Sequence, residues 1–466
     1  MKPLRHRIVA LAALAGALTL ATGPARALDL VQAWQAAQGH APEAAVAEAQ
    51  RQAGQAQGRQ AEALWKPTVA LEAGLAYARS ESAVRGAQFA APGFGSATGV
   101  AFDTSVTGGP SARYALALRQ PVYSRERSAR GEALSVAARA AELQWAQARQ
   151  ALMLRTAQAY FDAALAAERL RLLQQQQQAV ARAATEAQDR FRLGDKPITE
   201  VHEAAARLAA LKAEVLAAQT QLSLARQALD DLTGLGNAAQ ALALPQAAPR
   251  IDDLGTLPEW LARAERQSPQ RQLAEAQLQV AQAQAHASSA AYAPTVDVVA
   301  MMGRDRLSGD GDFGRASNTA AQAAVGLQLQ VPLYTGGLQS AQHAEHRARV
   351  DQARAELAQV RLQVTQQARA AWLDLSVGQG RLEALAAAQA ASQLRLDATR
   401  VGQQAGDRTT LDLLNAENDA MGARLALVSA RVRQLVDRLR LAAIAGELDE
   451  STLQQANAQL PAPAAR

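Results

Sequence analysis

The chain has no cysteine in its 466 residues. A disulfide and a thiolate metal site are therefore both excluded. Attachment of a lipid to an N-terminal cysteine after export is excluded for the same reason. Aromatic residues are also scarce, at 4%, whereas alanine and glutamine dominate the composition. This composition indicates a mainly helical protein.

Long hydrophobic runs are missing except near the start of the chain. Beyond that region no stretch reaches the roughly 18 consecutive apolar residues of a membrane-spanning helix, so any crossing of a bilayer must be made by strands. Residues 1–27 have a basic start, an apolar segment from Ile8 to about Leu20, and the small-x-small sequence Ala25-Arg26-Ala27. This order is typical of a secretory signal peptide, and we expect the mature chain to begin near Leu28.

Lysine is scarce among the basic residues, since only four of the 48 are lysine. The formal net charge of +5 comes from arginines scattered among Glu and Asp, without a basic block or interleaved aromatic residues. That distribution indicates solvated helix faces, and we expect no nucleic-acid partner.

Several short motifs occur twice in the same order, which indicates an internal duplication. Two pairs lie about 227 residues apart: Ala41-Pro42 with Ser268-Pro269, and Lys66-Pro67-Thr68-Val69 with Ala293-Pro294-Thr295-Val296. Three further pairs lie about 212 residues apart: Gln120-Pro121-Val122-Tyr123 with Val331-Pro332-Leu333-Tyr334, Ala159-Tyr160-Phe161-Asp162 with Ala371-Trp372-Leu373-Asp374, and Leu193-Gly194-Asp195-Lys196 with Ala405-Gly406-Asp407-Arg408. Each copy predicts a helix, a strand, a loop, a second strand and a long helix.

Two segments predict very long helices. From about Ser124 to Arg192 there is no proline and only one glycine, Gly131, so the helix would be about 100 Å long. The segment from Leu338 to about Gln404 is similar. Helices of this length need partners in water, and heptad-spaced residues after each turn predict antiparallel coiled-coil seams. These residues are Leu208, Leu211, Val215, Ala218, Leu222, Ala225, Leu229 and Leu232 in the first copy, and Leu425, Val428, Val432, Leu435, Leu439 and Ala442 in the second.

The segments around the paired prolines alternate with the period of a strand. Val69, Leu71, Ala73, Leu75 and Tyr77 share one face, as do three further sets: Tyr114, Leu116 and Leu118; Val296, Val298, Ala300 and Met302; and Val325, Leu327, Leu329 and Val331. Such alternation is typical of a lipid-facing barrel wall, and also of a soluble sheet packed on a core. We favour the barrel wall, because the long helices that adjoin these strands do not fit in a globular domain. They therefore provide no core for the sheet to cover.

Four strands are too few to close a barrel, and open edges in hydrocarbon leave backbone groups unpaired. Several copies must therefore combine their hairpins, giving eight strands in a dimer or twelve in a trimer. Proline is tolerated where a strand meets a helix, and we place four prolines at such junctions: Pro67, Pro121, Pro294 and Pro332. We expect exposed loops over Ala90 to Pro110 and Ser308 to Thr319.

In their order and spacing, these strand ends and the two helical turns resemble the TolC family of outer-membrane efflux and secretion channels. The motifs are Pro121-Val122-Tyr123, Pro332-Leu333-Tyr334-Thr335-Gly336-Gly337, the turn from Arg190 through Val201, and the turn from Gly406 through Ala416. The resemblance covers essentially all of the mature sequence. It implies a homotrimer with a 12-stranded transmembrane β-barrel, four strands per protomer, in the outer membrane. A long periplasmic α-helical coiled-coil barrel would continue the β-barrel, and the protomer would be internally duplicated.

The resemblance also implies a periplasmic gate, in which an arginine and acidic residues hold the helical hairpins together. The matching positions are Arg408, Glu200 and Asp412. Gln403 stands where relatives carry a tyrosine, and Asn415 stands at a second acidic position, so we expect a weaker network. The hairpin tips would contact the adaptor through Gly194, Asp195, Gly406 and Asp407. Gly194 and Gly406 lie where a helix reverses, and we expect positive φ there. Asp195, Asp407, Thr199 and Thr409 are candidate helix caps.

The function that the resemblance implies is an outer-membrane exit duct. It would work with a periplasmic adaptor and an inner-membrane ABC or proton-driven pump, in type I secretion of proteins, in small-molecule efflux, or in both. Two features favour type I secretion: the absence of a cysteine for lipid attachment, and the turn Thr199-Glu200-Val201. The rival hypothesis is a periplasmic adaptor or another structural coiled-coil protein. An adaptor, however, usually has one helical hairpin and no lipid-patterned strand pairs.

No catalytic constellation is evident, and we expect neither an enzyme nor a cofactor. His343 and His346 share a helix face but have only Glu345 nearby, so we expect no metal site. Tyr160 and Trp372 are interpreted as coiled-coil packing residues.

The resulting organisation is a signal peptide over 1–27, a first repeat over 28–240 with a hairpin at about 67–121, a linker over 241–254, a second repeat over 255–446 with a hairpin at about 294–332, and a loosely ordered tail over 447–466.

Overall fold

The computed structural model describes residues 28–79, 83–103, 108–195, 197–236, 242–247, 254–311 and 314–461. The proposed signal peptide and half of the proposed linker lie outside these residues. The described helices are α1 (Leu30–His40), α2 (Pro42–Ala63), α3 (Arg125–Arg192), α4 (Ile198–Thr233), α5 (Leu257–Gln267), α6 (Pro269–Ala290), α7 (Leu338–Ala405), α8 (Thr410–Ile444) and α9 (Glu450–Asn457). The described strands are β1 (Thr68–Ala78), β2 (Ala83–Ala91), β3 (Gly95–Asp103), β4 (Gly109–Ser124), β5 (Thr295–Gly311) and β6 (Gly314–Gln330).

The elements of the two repeats match in length, which confirms the duplication. Helices α1 and α5 each have 11 residues, α2 and α6 each have 22, and α3 and α7 each have 68. Helices α4 and α8 have 36 and 35 residues. The break between the two short helices is also shared, since Ala41 and Ser268 have extended ψ angles of 125° and 124°. Each of them precedes a proline, which disfavours helical geometry at the residue before it.

The chain forms two compact units. The helical unit contains residues 28–51, 143–273 and 358–461 where they are described, and the strand unit contains residues 52–142 and 274–357. The largest cluster of buried side chains in the helical unit includes Trp34, Tyr160, Phe161, Leu435 and Leu453.

The heptad positions of the two coiled-coil seams lie inside the helical unit. Most of the residues expected at the seams are buried: Leu211, Val215, Ala218, Leu222, Leu229 and Leu232 on α4, and Val432, Leu435, Leu439 and Ala442 on α8. The remaining four are half-buried: Leu208, Ala225, Leu425 and Val428. The seams expected from the heptad spacing are therefore the buried faces of α4 and α8.

The end of the chain differs from the expected loose tail, because it contains α9. Asp449 caps this helix by accepting the Thr452 N–H at 2.8 Å. Leu453 is fully buried, and the Asn457 amide oxygen accepts the Leu30 N–H at 3.1 Å. The helix is short, and its amphipathic pattern covers only two turns, which is why the sequence pattern did not reveal it.

The strand unit contains a four-stranded antiparallel sheet in the order β1-β4-β5-β6. The neighbours β4 and β5 belong to different repeats, so the two hairpins form one continuous sheet. Paired residues include Leu71 with Leu116, Leu116 with Met302, and Met302 with Ala323. One row of side chains therefore crosses all four strands.

The two expected loops are wrong over much of their length. The first expected loop contains the end of β2 and all of β3, which pair in a separate two-stranded sheet. This ribbon turns at Gly93 and Gly95, which have φ angles of +88° and +79°. In the second, β5 continues to Gly311 and β6 begins at Gly314. These segments are rich in Gly, Ser and Ala without apolar alternation, so strand pairing there leaves no periodic sequence pattern.

Candidate functional site

One face of the four-stranded sheet is apolar on every strand. We call it the apolar face. Register places these residues on it: Val69, Leu71, Ala73, Leu75, Tyr77, Leu116, Leu118, Val296, Val298, Ala300, Met302, Val325, Leu327 and Leu329. Many of them are exposed, and Leu75 retains 87% of its accessible surface. The face therefore lacks a covering layer within the described part of the chain, so the alternative of a sheet packed on a core of its own is not supported.

A β-bulge extends the apolar face at the end of β4. Pro121 pairs with Asp297, and Tyr123 pairs with Val296, so one residue of β4 is left over between them. The extra residue reverses the alternation. Tyr123 consequently lies on the apolar face. In a regular strand it would share the polar face with Pro121, which is two positions earlier.

Two tyrosines mark the ends of the apolar face on β4. Tyr114 and Tyr123 are both exposed and lie nine residues apart. At about 3.3 Å per residue and a tilt of about 40°, that separation spans about 23 Å perpendicular to a membrane. This height is close to the roughly 25 Å apolar band of membrane barrels, which aromatic residues flank on both sides.

The opposite face of the sheet is polar and carries two ion pairs between β4 and β5. Arg119 donates from Nε to the Asp297 carboxylate at 2.8 Å, and Arg113 is paired with Asp305 at 2.5 Å. The Asp297 side chain is almost fully buried, whereas the Arg113 pair is more open to solvent. Both pairs join the first repeat to the second.

The four prolines lie at or near the ends of strands. Pro67 and Pro294 directly precede β1 and β5. Pro121 lies inside β4 at the bulge, three residues before the strand ends, and Pro332 follows the last residue of β6 by two positions. Proline cannot donate to a strand neighbour, and a bulge or a strand end requires no such donor.

The first hairpin tip is the turn between α3 and α4, residues 193–197, of which residue 196 lies outside the described residues. Gly194 has a φ of +77°, as expected for a helix reversal. The Asp195 N–H donates to the Arg190 carbonyl at 2.9 Å. The N-cap of α4 is Pro197, without a side-chain hydrogen bond. The expectation that Asp195 or Thr199 caps α4 is therefore wrong, because Thr199 lies inside the helix.

The second hairpin tip is the turn between α7 and α8, residues 406–409. Gly406 has a φ of +89°, and its N–H donates to the Gln403 carbonyl at 3.2 Å. The N–H groups of Asp407 and Arg408 both donate to the Gly402 carbonyl. The aliphatic part of the Arg408 side chain lies against Gly402, where a Cβ would come within 2.9 Å of its Cγ. A larger residue at position 402 would displace Arg408.

Thr409 caps α8, as one of the expected alternatives, and Asp412 completes the capping box. The Thr409 N–H donates to the Asp412 carboxylate at 3.0 Å, and its hydroxyl donates to the same carboxylate at 2.9 Å. These hydrogen bonds hold the pKa of Asp412 below its usual value, with a smaller contribution from the charge of Arg408. Asp412 therefore remains ionised in mild acid.

A hydrogen bond joins the beginnings of the two helices that follow the tips. Thr410, the first residue of α8, donates its hydroxyl to the Glu200 carboxylate at 3.5 Å. Asn415 is exposed and Gln403 is half-buried. The side chain of Arg408 is exposed and has no hydrogen bond or ion pair with another described residue. Glu200 and Asp412 thus have contacts within the chain, whereas the guanidinium of Arg408 is available to another molecule.

Asn418 is a further link between the repeats that the sequence pattern did not reveal. Its amide oxygen accepts from Arg207 at 2.7 Å and from Gln176 at 3.4 Å. Nearby on α8, burial raises the pKa of Glu417, although Arg400 lies 3.7 Å away. The Asn418 contacts join residues more than 200 positions apart, so no local pattern in the sequence indicates them.

Tyr160 and Trp372 both use their polar atoms on backbone groups. The Tyr160 hydroxyl donates to the Leu28 carbonyl at 3.0 Å and accepts the Ala243 N–H at 2.9 Å. Burial raises the pKa of Tyr160 to about 12. The Trp372 indole donates to the Gly255 carbonyl at 3.3 Å. Tyr160 thus ties the start of the described chain and the segment between the repeats to α3, which goes beyond the packing role expected for it.

The described residues include no group of three or more His, Cys, Asp or Glu that could hold a metal ion. The Nδ1 atom of His343 lies 3.2 Å from the Ser288 hydroxyl. No helix within the described ranges has both the length and the apolar character needed to cross a membrane.

Comparisons with known proteins agree with this architecture. Residues 33–235 and 260–447 match the family described as outer membrane efflux protein. The chain is 26% identical to the proteases secretion protein PrtF of Dickeya chrysanthemi, over 94% of this chain and 92% of PrtF. It is also 26% identical to the outer membrane protein TolC of Vibrio cholerae, over 73% of this chain and 78% of that protein.

A solved structure shares the fold. The outer membrane protein VceC of Vibrio cholerae superimposes with a TM-score of 0.70 at 22% identity, over 90% of this chain and 97% of VceC. The expected fold of the protomer is thereby confirmed, and the rival hypothesis of a periplasmic adaptor is not supported. Because the family match covers both repeats, the chain belongs to the outer membrane efflux protein family.

Proposed function

We propose that three copies of this chain form an outer-membrane exit channel in which their sheets join into one twelve-stranded barrel. The observation that carries the proposal is the four-stranded sheet, whose apolar face crosses every strand and whose edge strands β1 and β6 each have one described neighbour. In hydrocarbon, unpaired edges cost several kcal/mol for each backbone group. Pairing β1 of one copy with β6 of the next removes both edges.

The number three follows from the space that a duct needs. An eight-stranded barrel has an interior just wide enough for its own side chains. Two copies would therefore give a filled barrel, whereas three copies give twelve strands and leave an aqueous lumen. The polar face, with the Arg113–Asp305 and Arg119–Asp297 pairs, would line that lumen.

The channel would serve as the exit duct of an export system with a periplasmic adaptor and an inner-membrane ABC or proton-driven pump. PrtF is named for secretion of proteases, which supports type I protein secretion as one use, and the family description supports efflux as the other. The adaptor would bind the hairpin tips, where Gly194 and Gly406 shape exposed turns that also contain Asp195 and Asp407.

The tips would also form the periplasmic gate. Arg408 would reach an acidic residue of the neighbouring copy, because its guanidinium has no described partner within its own chain. Glu200 and Asp412 are the acidic groups that we propose as its acceptors, and Thr410 holds Glu200 beside the second tip. The family's second acidic position is the neutral Asn415, and Gln403 replaces a tyrosine, so few charges would hold this gate closed.

Disulfide trapping tests the arrangement, because the chain has no native cysteine. Ala73→Cys on β1 would be combined in turn with Ala321→Cys, Ala323→Cys or Val325→Cys on β6, all on the apolar face. We expect at least one pair to give cross-linked species of two and three subunits, and nothing larger. The single-cysteine parents are matched controls. Cross-linked species that end at two subunits, or that continue beyond three, would contradict the proposal.

A further inference from the structure

Two arginines continue the apolar face of β5 beyond its last apolar residue. Met302, Arg304 and Arg306 alternate along the strand, so all three side chains leave the same side of the sheet. Arg304 pairs in register with Tyr114, and Arg306 pairs with Ala112. Both arginines are exposed.

Their height on the sheet is set by Tyr114. On β4, that tyrosine is at the end of the apolar face opposite Tyr123, about 23 Å away across the band. Tyrosine prefers the boundary between hydrocarbon and headgroups. Because Arg304 lies directly beside Tyr114, the proposed barrel places both guanidinium groups among lipid headgroups, on the side facing the lipid.

The charges of these two arginines are not neutralised within the described part of the chain. Neither side chain has an ion pair or hydrogen bond with another described residue, in contrast to Arg113 and Arg119 on the polar face. The nearest carboxylate on their own face of β5 is Asp310, which is paired with Arg315 at 3.5 Å. An anionic ligand would therefore find two unpaired guanidinium groups side by side.

We infer that Arg304 and Arg306 bind the phosphate group of an anionic lipid at the rim of the barrel; this inference rests on the proposed function. Residues two apart on one strand face are about 7 Å apart, and each guanidinium can form a two-pronged hydrogen bond to phosphate oxygens. The apolar face directly below would receive the acyl chains of the same molecule. A free phosphate could use the arginines alone, without that apolar surface.

The test uses the assembled channel in phosphatidylcholine nanodiscs with spin-labelled phosphatidylglycerol or spin-labelled phosphatidylcholine. Electron paramagnetic resonance measures the fraction of each labelled lipid held at the protein surface. We expect the natural protein to prefer phosphatidylglycerol, and R304Q/R306Q to lose about 10- to 30-fold of that preference, since each arginine near an anionic lipid contributes about fivefold. R315Q removes a paired arginine from the same face and should leave the preference unchanged.

Several outcomes would overturn the inference. The first is that an assembled R304Q/R306Q channel keeps the preference of the natural protein for phosphatidylglycerol. The second is that inorganic phosphate, added at the same concentration as the labelled lipid, displaces that lipid completely. If the double variant does not assemble, R304Q and R306Q are measured separately, and each should lose about fivefold. Failure of the proposed function is recognised separately, because the natural protein would then not give the three-subunit cross-linked species.

Discussion

Arg119 on β4 donates its Nε–H to the carboxylate of Asp297 on β5 at 2.8 Å. These strands come from different repeats, so the bond joins the two halves of the duplicated chain. The Asp297 side chain is only 2% exposed, whereas the Arg119 side chain is 44% exposed. A buried carboxylate depends on its partner far more than an exposed one does.

Loss of Arg119 should therefore be much more damaging than loss of Arg113. Arg119→Gln leaves the Asp297 carboxylate buried without its counter-charge, which costs about 3 kcal/mol or more. Arg113→Gln affects a pair that solvent screens, and its effect should be much smaller. The temperature at which the detergent-solubilised oligomer dissociates would report the difference. Adding Asp297→Asn to Arg119→Gln should restore most of the loss, and equal effects of the two single variants would contradict this account.

Tyr160→Phe should destabilise the helical unit. The variant removes one hydrogen-bond donor and one acceptor at a buried position, leaving the Leu28 carbonyl and the Ala243 N–H without that partner. We expect a cost of about 1–3 kcal/mol. Hydrogen exchange would localise it, because the amide of Ala243 should lose protection. Unchanged protection there would argue against the role of the hydroxyl.

The same residue predicts a difference at alkaline pH. The pKa of Tyr160 is about 12 in the folded protein and about 10 when unfolded. Its contribution is fully present below about pH 10 and is lost as the pH rises from about 10 to about 12, because the unfolded state releases the proton first. The melting temperature of the natural protein should fall more steeply above about pH 10 than that of Tyr160→Phe. The other tyrosines are common to both proteins, so the comparison cancels them; parallel curves would contradict the prediction.

The gate predicts an increase in conductance. Arg408→Ala combined with Glu200→Ala removes the proposed contacts between the hairpin tips, and we expect a higher closed-state conductance in planar bilayers. Arg192→Ala is a suitable control, since Arg192 is near the first tip but is paired within its own helix with Asp189 at 3.6 Å. If the double variant and the control conduct alike, the gate is not located at these residues.

Two glycines on neighbouring segments should respond in opposite ways to alanine. Gly406 has a φ of +89°, so Gly406→Ala forces an L-residue into the left-handed region at a cost of about 1–2 kcal/mol. Gly422 lies inside α8 with open space where a Cβ would point. Gly422→Ala should therefore stabilise the helix by up to about 1 kcal/mol. Melting temperatures of the two variants should lie on opposite sides of that of the natural protein.

Sequence patterns predicted the elements that are long and periodic. The absence of proline between Arg125 and Arg192, with Gly131 as the single glycine, was sufficient to predict α3. Alternation likewise identified the apolar face, since a strand in register has only two faces on which to place its side chains. The strands β2 and β3 were missed because glycine and alanine satisfy backbone pairing without an apolar period.

The contacts at the candidate site could be predicted only in part. The positive φ angles of Gly194 and Gly406 follow from the local need to reverse a helix. The cap at Thr409 was one of several possible choices, and the Asn418 contacts depend on how distant helices pack. The acceptor proposed for Arg408 belongs to a neighbouring copy, so the sequence of one chain does not identify it without the family resemblance.

The bulge between Pro121 and Tyr123 has a consequence for how this protein can change during evolution. A single inserted or deleted residue elsewhere in β4 would move every side chain after it to the opposite side of the strand. Charged side chains would then face the lipid, and apolar side chains would face water. Length changes should therefore be confined to places where alternation is already interrupted. In homologous chains, we expect gaps to cluster at the bulge and in the β2–β3 ribbon, while the stretches between them keep a constant length.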